Sequence, residues 1–291
     1  MPTISTTGAM EAASKEMIST ARFTAEHNAP VWGLVSHFTL KKGEDTGVFP
    51  KFGQFTISDL AEGQDMVDEQ DLGMTSVSVT TSEVGAKVVL SWKLLKQNVA
   101  ANFQTAGRQF GDASKRKREA DLISLFSALN STGGGTLGAA GAAFSSANAT
   151  SCVAIAKTDK YGEDLAMIVH PNSAMRLARD LTTIGSGTVR PLPEGYSARL
   201  LQNAWTGHSI WGVPIFETGN ITRDASDDMI GAIMGKDALG TLTSQSPFQG
   251  KTNDLSLRAW ELVYIEDYAA FEFDDSRGAP LTYDAADPAT S

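Results

Sequence analysis

Cysteine is almost missing from this chain. The 291 residues contain one, Cys152, which excludes an internal disulfide and any zinc site built on clustered thiolates. Long apolar runs are missing too. Met229–Met234 is typical of the longest stretches, far short of the roughly 18 residues of a membrane helix. Met1 to Met10 shows neither a basic start nor an apolar block, so no secretory signal is expected there. Positive charge is short: 24 Lys and Arg face 34 Asp and Glu, a formal net charge of −10. A sequence-independent grip on nucleic acid needs the opposite surplus, because it works by replacing counterions. The four histidines (His27, His37, His170, His208) share no metal-binding spacing, and no metal or other cofactor is implied.

What is present is ordinary for a folded protein. Hydrophobic residues make up 42% and charged residues 20%, enough for one large core or two modest ones.

Catalytic motifs do not assemble. The glycines from Gly133 to Gly141 lack the Gly-Lys-Ser/Thr that a phosphate loop requires, so a linker is the simpler reading. Gly207-His208-Ser209 opens like a nucleophile elbow, yet residue 211 is Trp where the turn demands Gly. A serine hydrolase using Ser209 with His208 or His170 is therefore the weakest alternative. His170, before Pro171, reads as a strand-end or capping residue, and Cys152 as a small buried hydrophobe. The acids of 59–71 lack calcium-loop spacing.

Organisation along the chain says more. Residues 1–30 are polar, with one amphipathic helix expected over Glu11 to Ala25. Val31–Leu40 reads as extended. Val48, Phe49, Phe52, Phe55 and Ile57 then give short alternations, and Val77 and Val79 alternate with Ser and Thr. This predicts a long two-stranded excursion, out through about Phe55 and back through Val79. Between its strands lie Asp59, Glu62, Asp65, Asp68, Glu69 and Asp71 without a base. A loop this long inside a compact domain implies a task.

From Ser91 to Leu129 the spacing predicts one long helix: Leu95, Val99, Phe103, Ala106, Phe110 and Ala113 fall on a stripe that resumes at Leu122. Gly107 and Gly111 predict a bend. Lys115, Arg116, Lys117 and Arg118 add a local charge of +4. Beyond the Gly-rich linker we expect a strand at Val153–Ala156 and a buried segment at Leu165–Val169. A helix opening at Pro171, strands at Ile210–Phe216 and Met229–Met234, and a long extended piece from Leu255 to Phe273 follow. The last dozen residues read as a frayed polar tail.

This order of parts resembles the tailed-bacteriophage major capsid protein family, with its Hong Kong 97-type fold. The phrases that carry it are MIVHPNSAMRLARDL (residues 167–181) and IWGVPIFE (residues 210–217), with the arm and spine helix before them. The resemblance implies an α+β chain with an N-terminal arm (1–40), an extended two-stranded loop with flanking strands (41–90) and a spine helix of the peripheral domain (91–135). An axial domain (136–235), then return strands of the peripheral domain and a C-terminal tail (236–291), complete it. It implies a non-enzymatic subunit that assembles with itself as pentamers and hexamers into an icosahedral head. That head would enclose double-stranded DNA without sequence-specific binding. Portal, scaffolding and decoration proteins would be its partners, the virion its location and the host cytoplasm its place of assembly. An encapsulin-type compartment shell shares the fold and is the leading alternative. The charges suggest where copies meet: Asp59, Glu62, Asp65, Asp68, Glu69 and Asp71 of one against Lys115, Arg116, Lys117 and Arg118 of another.

Overall fold

Alternating Val with Ser and Thr, and Trp, Leu and Tyr with polar residues, makes strands whose two faces differ. In the computed structural model these strands gather into three sheets around one long helix. The structure describes residues 29–51, 57, 59, 62, 73–97, 99–129, 135–162, 164–182 and 209–288. In chain order they form β1 (Ser36–Thr39), β2 (Thr46–Lys51), β3 (Thr75–Thr80), β4 (Ser82–Ser91), α1 (Trp92–Gln97), α2 (Val99–Ser124) and β5 (Leu137–Gly138). There follow α3 (Ser146–Thr158), β6 (Leu165–Val169), α4 (Pro171–Thr182), β7 (Ser209–Ile210) and β8 (Val213–Glu217). β9 (Asp228–Gly235), β10 (Leu239–Asp254), β11 (Ala259–Glu272) and β12 (Gly278–Asp284) complete the order.

One sheet has the order β1-β10-β11-β4, a second β5-β12-β9-β6-β8-β7, and β2-β3 form a separate hairpin. The main core lies around the six-stranded sheet. It joins Leu122, Phe126 and Leu129 of the spine region to Met167, Ile168, Ile233 and Leu281 of the sheet.

The spine is present: α1 and α2 lie on either side of residue 98, which is outside the described residues, and the chain then tightens to a 3-10 turn at Phe126–Ala128. α2 alone, with 26 residues, is about 39 Å long at 1.5 Å per residue. Gly107 and Gly111 lie inside it without interrupting it. Ala106 and Phe110 are buried as the stripe requires, but Ser114 is buried in place of the exposed Ala113. The buried positions 106, 110 and 114 follow four-residue steps, and the serine is hydrogen-bonded to Glu266 there.

Five expectations fail locally. Val153–Ala156 is part of α3, not a strand. Its buried residues Ala149, Cys152, Val153 and Ala156 keep helical spacing, and the Ser145 side chain accepts from the Asn148 N–H at 3.3 Å as the cap. Val31–Leu34 is a 3-10 turn, and only Ser36–Thr39 of that stretch is strand. Ile210–Phe216 is a hairpin rather than one strand, and Leu255–Arg258 forms the turn that precedes β11. The first part of the expected frayed tail is strand: β12 lies between β5 and β9, with Leu281 and Tyr283 buried in it and Ala285 buried just beyond. Counting polar residues hid that alternation. α4 holds it in place, Arg176 pairing with Asp284 at 2.5 Å and Ser173 donating to the Asp284 carbonyl. The helix expected over Glu11–Ala25 and the outer part of the excursion lie outside the described residues.

A Cβ added at Gly111 would meet nothing within 4 Å. Gly111→Ala should therefore stabilise the subunit by about 1 kcal/mol and raise its thermal midpoint by about 2 °C in a calorimetric scan. A lower midpoint would show that α2 needs its glycine.

Candidate functional site

The β2–β3 hairpin is the inner part of the expected excursion, paired in register from Thr46↔Thr80 to Lys51↔Thr75. Beyond it, the described Ile57 is 96% exposed, and Asp59 and Glu62 are exposed as well. Asp65, Asp68, Glu69 and Asp71 lie outside the described residues.

Two contacts fix the root of this arm. The Phe49 ring stacks on Phe271 with centroids 4.9 Å apart and approaches Phe38 at 4.7 Å, over Val79 and Leu242. Lys51 Nζ donates to Asp274 Oδ1 at 2.6 Å and lies 3.5 Å from Asp275. The hydrogen bond to Asp274 lifts the Lys51 ammonium above its ordinary value. Burial alone would raise the Asp274 carboxyl, but hydrogen bonds from Lys51 and Ser276 outweigh it and hold it below the usual range.

The basic cluster on α2 does not act as one patch, because successive helix residues point about 100° apart. Lys115 and Arg116 are exposed. Lys117 pairs along the helix with Asp121 at 2.5 Å. Arg118 turns inward and forms an ion pair with Glu266, which is 1% exposed. Ser114 Oγ and Tyr264 Oη each donate to Glu266 at 2.9 Å. The Arg118 guanidinium also lies 4.6 Å from the Trp32 ring centroid and 5.5 Å from that of Tyr268. Tyr268 Oη donates to Asp121 at 2.7 Å. Burial, then the bond to Asp121, pushes the Tyr268 phenol far up, and burial likewise raises Tyr264. So Arg118 is a structural residue, and the surface charge near it reduces to Lys115 and Arg116.

One residue further on, Glu119 faces the other sheet. It is fully buried and accepts from Thr218 Oγ1 at 2.9 Å and Asn220 Nδ2 at 2.5 Å. Sequence reasoning missed both buried acids. Glu266 could have been found, since it interrupts an otherwise bulky alternation at Trp260, Leu262, Tyr264 and Tyr268. Glu119, embedded in a charged run, gave no such signal.

The residues considered for chemistry take structural positions. His170 Nδ1 accepts from the Asn172 N–H at 3.2 Å, the capping role expected; burial, then the Arg223 charge, holds its pKa below the ordinary value. Cys152 is buried, 3.1 Å from the Tyr283 hydroxyl, and burial pushes its thiol up. Ser209 is exposed, and His208 lies outside the described residues. Among the described residues no group of three or more His, Cys, Asp or Glu is placed to hold a metal, and no helix is long and apolar enough to cross a membrane.

At the arm root the aromatic contact outweighs the ion pair. Lys51 is 43% exposed, so Lys51→Ala should cost under about 1 kcal/mol, whereas Phe49→Ala should cost about 2 kcal/mol. Hydrogen exchange of the β2 and β3 amides should accelerate about 30-fold in the second variant and less than about 5-fold in the first. A depressed carboxyl contributes above its unfolded value and loses that contribution as pH falls through the folded one. The latch should thus be unchanged from pH 9 to 5 and weaken only below about 4; loosening at pH 6 would contradict the assignment.

The comparisons with known proteins agree with this architecture. Residues 74–279 match the phage capsid protein family, which is more than two thirds of the chain. No curated protein matches the sequence. Among solved structures, the chain is similar to the capsid of Ralstonia phage GP4, with TM-score 0.67, 11% identity and 89% of each chain covered. It is also similar to the mature capsid of bacteriophage PhiM1, with TM-score 0.64, 14% identity, and 88% of this chain and 87% of that one covered. The SrpI encapsulin complex of Synechococcus elongatus is similar too, at TM-score 0.61, 12% identity and 90% of each chain. The chain belongs to the phage capsid protein family, as a structural capsid protein with the Hong Kong 97-type fold of tailed-phage major capsid proteins.

Proposed function

We propose that this chain is the repeating tile of an icosahedral phage head, assembling as pentamers and hexamers around double-stranded DNA. The observation that carries this reading is the arm. Among the described residues β2–β3 is a two-stranded sheet of its own, held through Phe49, Val79 and Lys51, with Ile57 beyond it exposed. An unsupported hairpin that narrow is marginal in water. A neighbouring copy under the outer part of the arm supplies the missing contacts. The net charge of −10 suits a container, since a cationic lining would hold the genome by counterion release. Portal, scaffolding and decoration proteins are partners on this reading, and assembly takes place in the host cytoplasm.

Within the proposal, the acids of residues 59–71 on one copy approach Lys115 and Arg116 on the next. Arg118 has no part in that contact, and Lys117 is already paired with Asp121. The encapsulin-type shell is the second reading, favoured by the likeness to the SrpI complex. Particle contents separate the two: nuclease-protected DNA supports the head, enclosed protein cargo the compartment.

The expressed chain should form hollow polyhedral particles in negative stain, and a strictly monomeric product would contradict the tile. Lys115→Glu combined with Arg116→Glu should raise the protein concentration needed for particles several-fold at 0.1 M salt, from about 0.2–1 kcal/mol per exposed pair. The difference should vanish near 1 M salt, where screening acts within about 3 Å. Equal assembly at low salt would remove the charge pairing.

A further inference from the structure

One end of the six-stranded sheet carries a tryptophan that its own fold leaves exposed. β7 and β8 are joined by Trp211 and Gly212, with φ of 50° and 81°, and Ile210 pairs with Val213 across them. Two successive left-handed residues make this a type I′ hairpin, a turn that favours Asn-Gly. A tryptophan strains the first position, and the side chain is 66% exposed. The turn is nonetheless held: Lys157 Nζ donates to the Trp211 carbonyl at 2.9 Å, and Ile155 is exposed on the same helix. A strained backbone displaying a bare indole is doubly unfavourable in an isolated chain. Both features make sense where the indole is covered by a partner.

The sheet itself indicates what covers it. Its order puts the β7–β8 hairpin at one end and β5 at the other, and each end strand is paired on one side among the described residues. α3 crosses between them and touches both. The ends carry different charged groups. Exposed Lys157 holds the hairpin and exposed Lys160 follows the same end of α3, whereas Asp180, beside exposed Arg179, lies at the opposite end of α3, accepting from the Ser146 N–H at 2.7 Å. Beside β5 the exposed Ala139 and Ala140 offer only methyl groups, with no long side chain to hold off a ring.

We infer that Trp211 is an intersubunit knob, packing on the β5 end of the six-stranded sheet in the next copy of this chain. The inference rests on the shell reading and specifies one of its contacts. Because the contact joins two different edges it is head-to-tail, and such contacts repeat into rings.

Trp211→Asn in the full chain tests it. Asn-Gly fits the turn, so the thermal midpoint of the unassembled subunit should hold or rise. The concentration needed for particles should rise about 30-fold, as for loss of a buried aromatic anchor. Ala140→Arg should block the receiving edge and give the same defect. Each variant keeps one sound edge, so an equimolar mixture should sediment as dimers while each alone stays monomeric. Assembly of W211N at wild-type concentration would overturn the knob and leave the shell reading intact. A lowered midpoint for W211N would overturn it by showing that the indole is covered within its own chain. Undiminished assembly of A140R, or a mixture without dimers, would overturn the β5 end as receiver. Failure of the wild-type chain to form particles would instead remove the shell reading, and the inference with it.

Discussion

Two consecutive residues of α2 hold the molecule's two main sheets. Arg118 reaches into the four-stranded sheet and pairs with Glu266. Glu119, about 100° around the helix, is buried against Thr218 and Asn220 at the end of β8. A buried charge is costly unless its partner and hydrogen bonds are in place. Here Glu266 receives Arg118, Ser114 and Tyr264 together. The Trp32 and Tyr268 rings flank the guanidinium, although its Nε remains without a hydrogen bond. An apolar contact of the same area would let the helix slide or roll. The ionic contact does not, because any displacement strands a charge away from water.

That constraint reaches the arm along β11. Tyr268, beside the guanidinium, pairs with Ser82 of β4, two residues beyond the end of β3. Phe271 and Phe273, a few residues further along, hold Phe38 and Phe49 at the arm's root. The root is thus referred to the spine helix through one strand. Lys51 with Asp274 adds direction there, not much energy, because that pair is partly in water. A tile of this kind can be stiff at its centre and adaptable at its margin, where neighbours supply the remaining contacts.

Much of this was legible in the residues. The inner part of the excursion, the spine helix, the buried β6, the helix opening at Pro171 and the long β11 all follow from period and punctuation. The errors share a physical origin. Val153–Ala156 is too short to distinguish a period of 2 from one of 3.6, and only the Ser145 cap reveals the helix. Residues 280–284 looked like a tail because polar residues flank Leu281 and Tyr283, whose burial depends on β9 and β5, both distant in sequence. For the candidate contacts, the sequence distinguishes a charge from its absence but not a surface charge from a buried one. Of Lys115 to Arg118, the last is structural because Glu266 lies 148 residues away in sequence and adjacent in space. Trp211 was noticed only as a residue that spoils a catalytic turn; its left-handed backbone and exposure needed coordinates.

The account stands most directly on the ion pair between Arg118 and Glu266. Denaturant unfolding of the unassembled Glu266→Gln subunit, which keeps the shape and removes the charge, tests it. The structure predicts a loss of about 3 kcal/mol, because Arg118, only 18% exposed, would be left largely out of water without its counter-charge. A loss below about 1 kcal/mol would mean that the two sheets are held by packing alone, and would contradict the central claim.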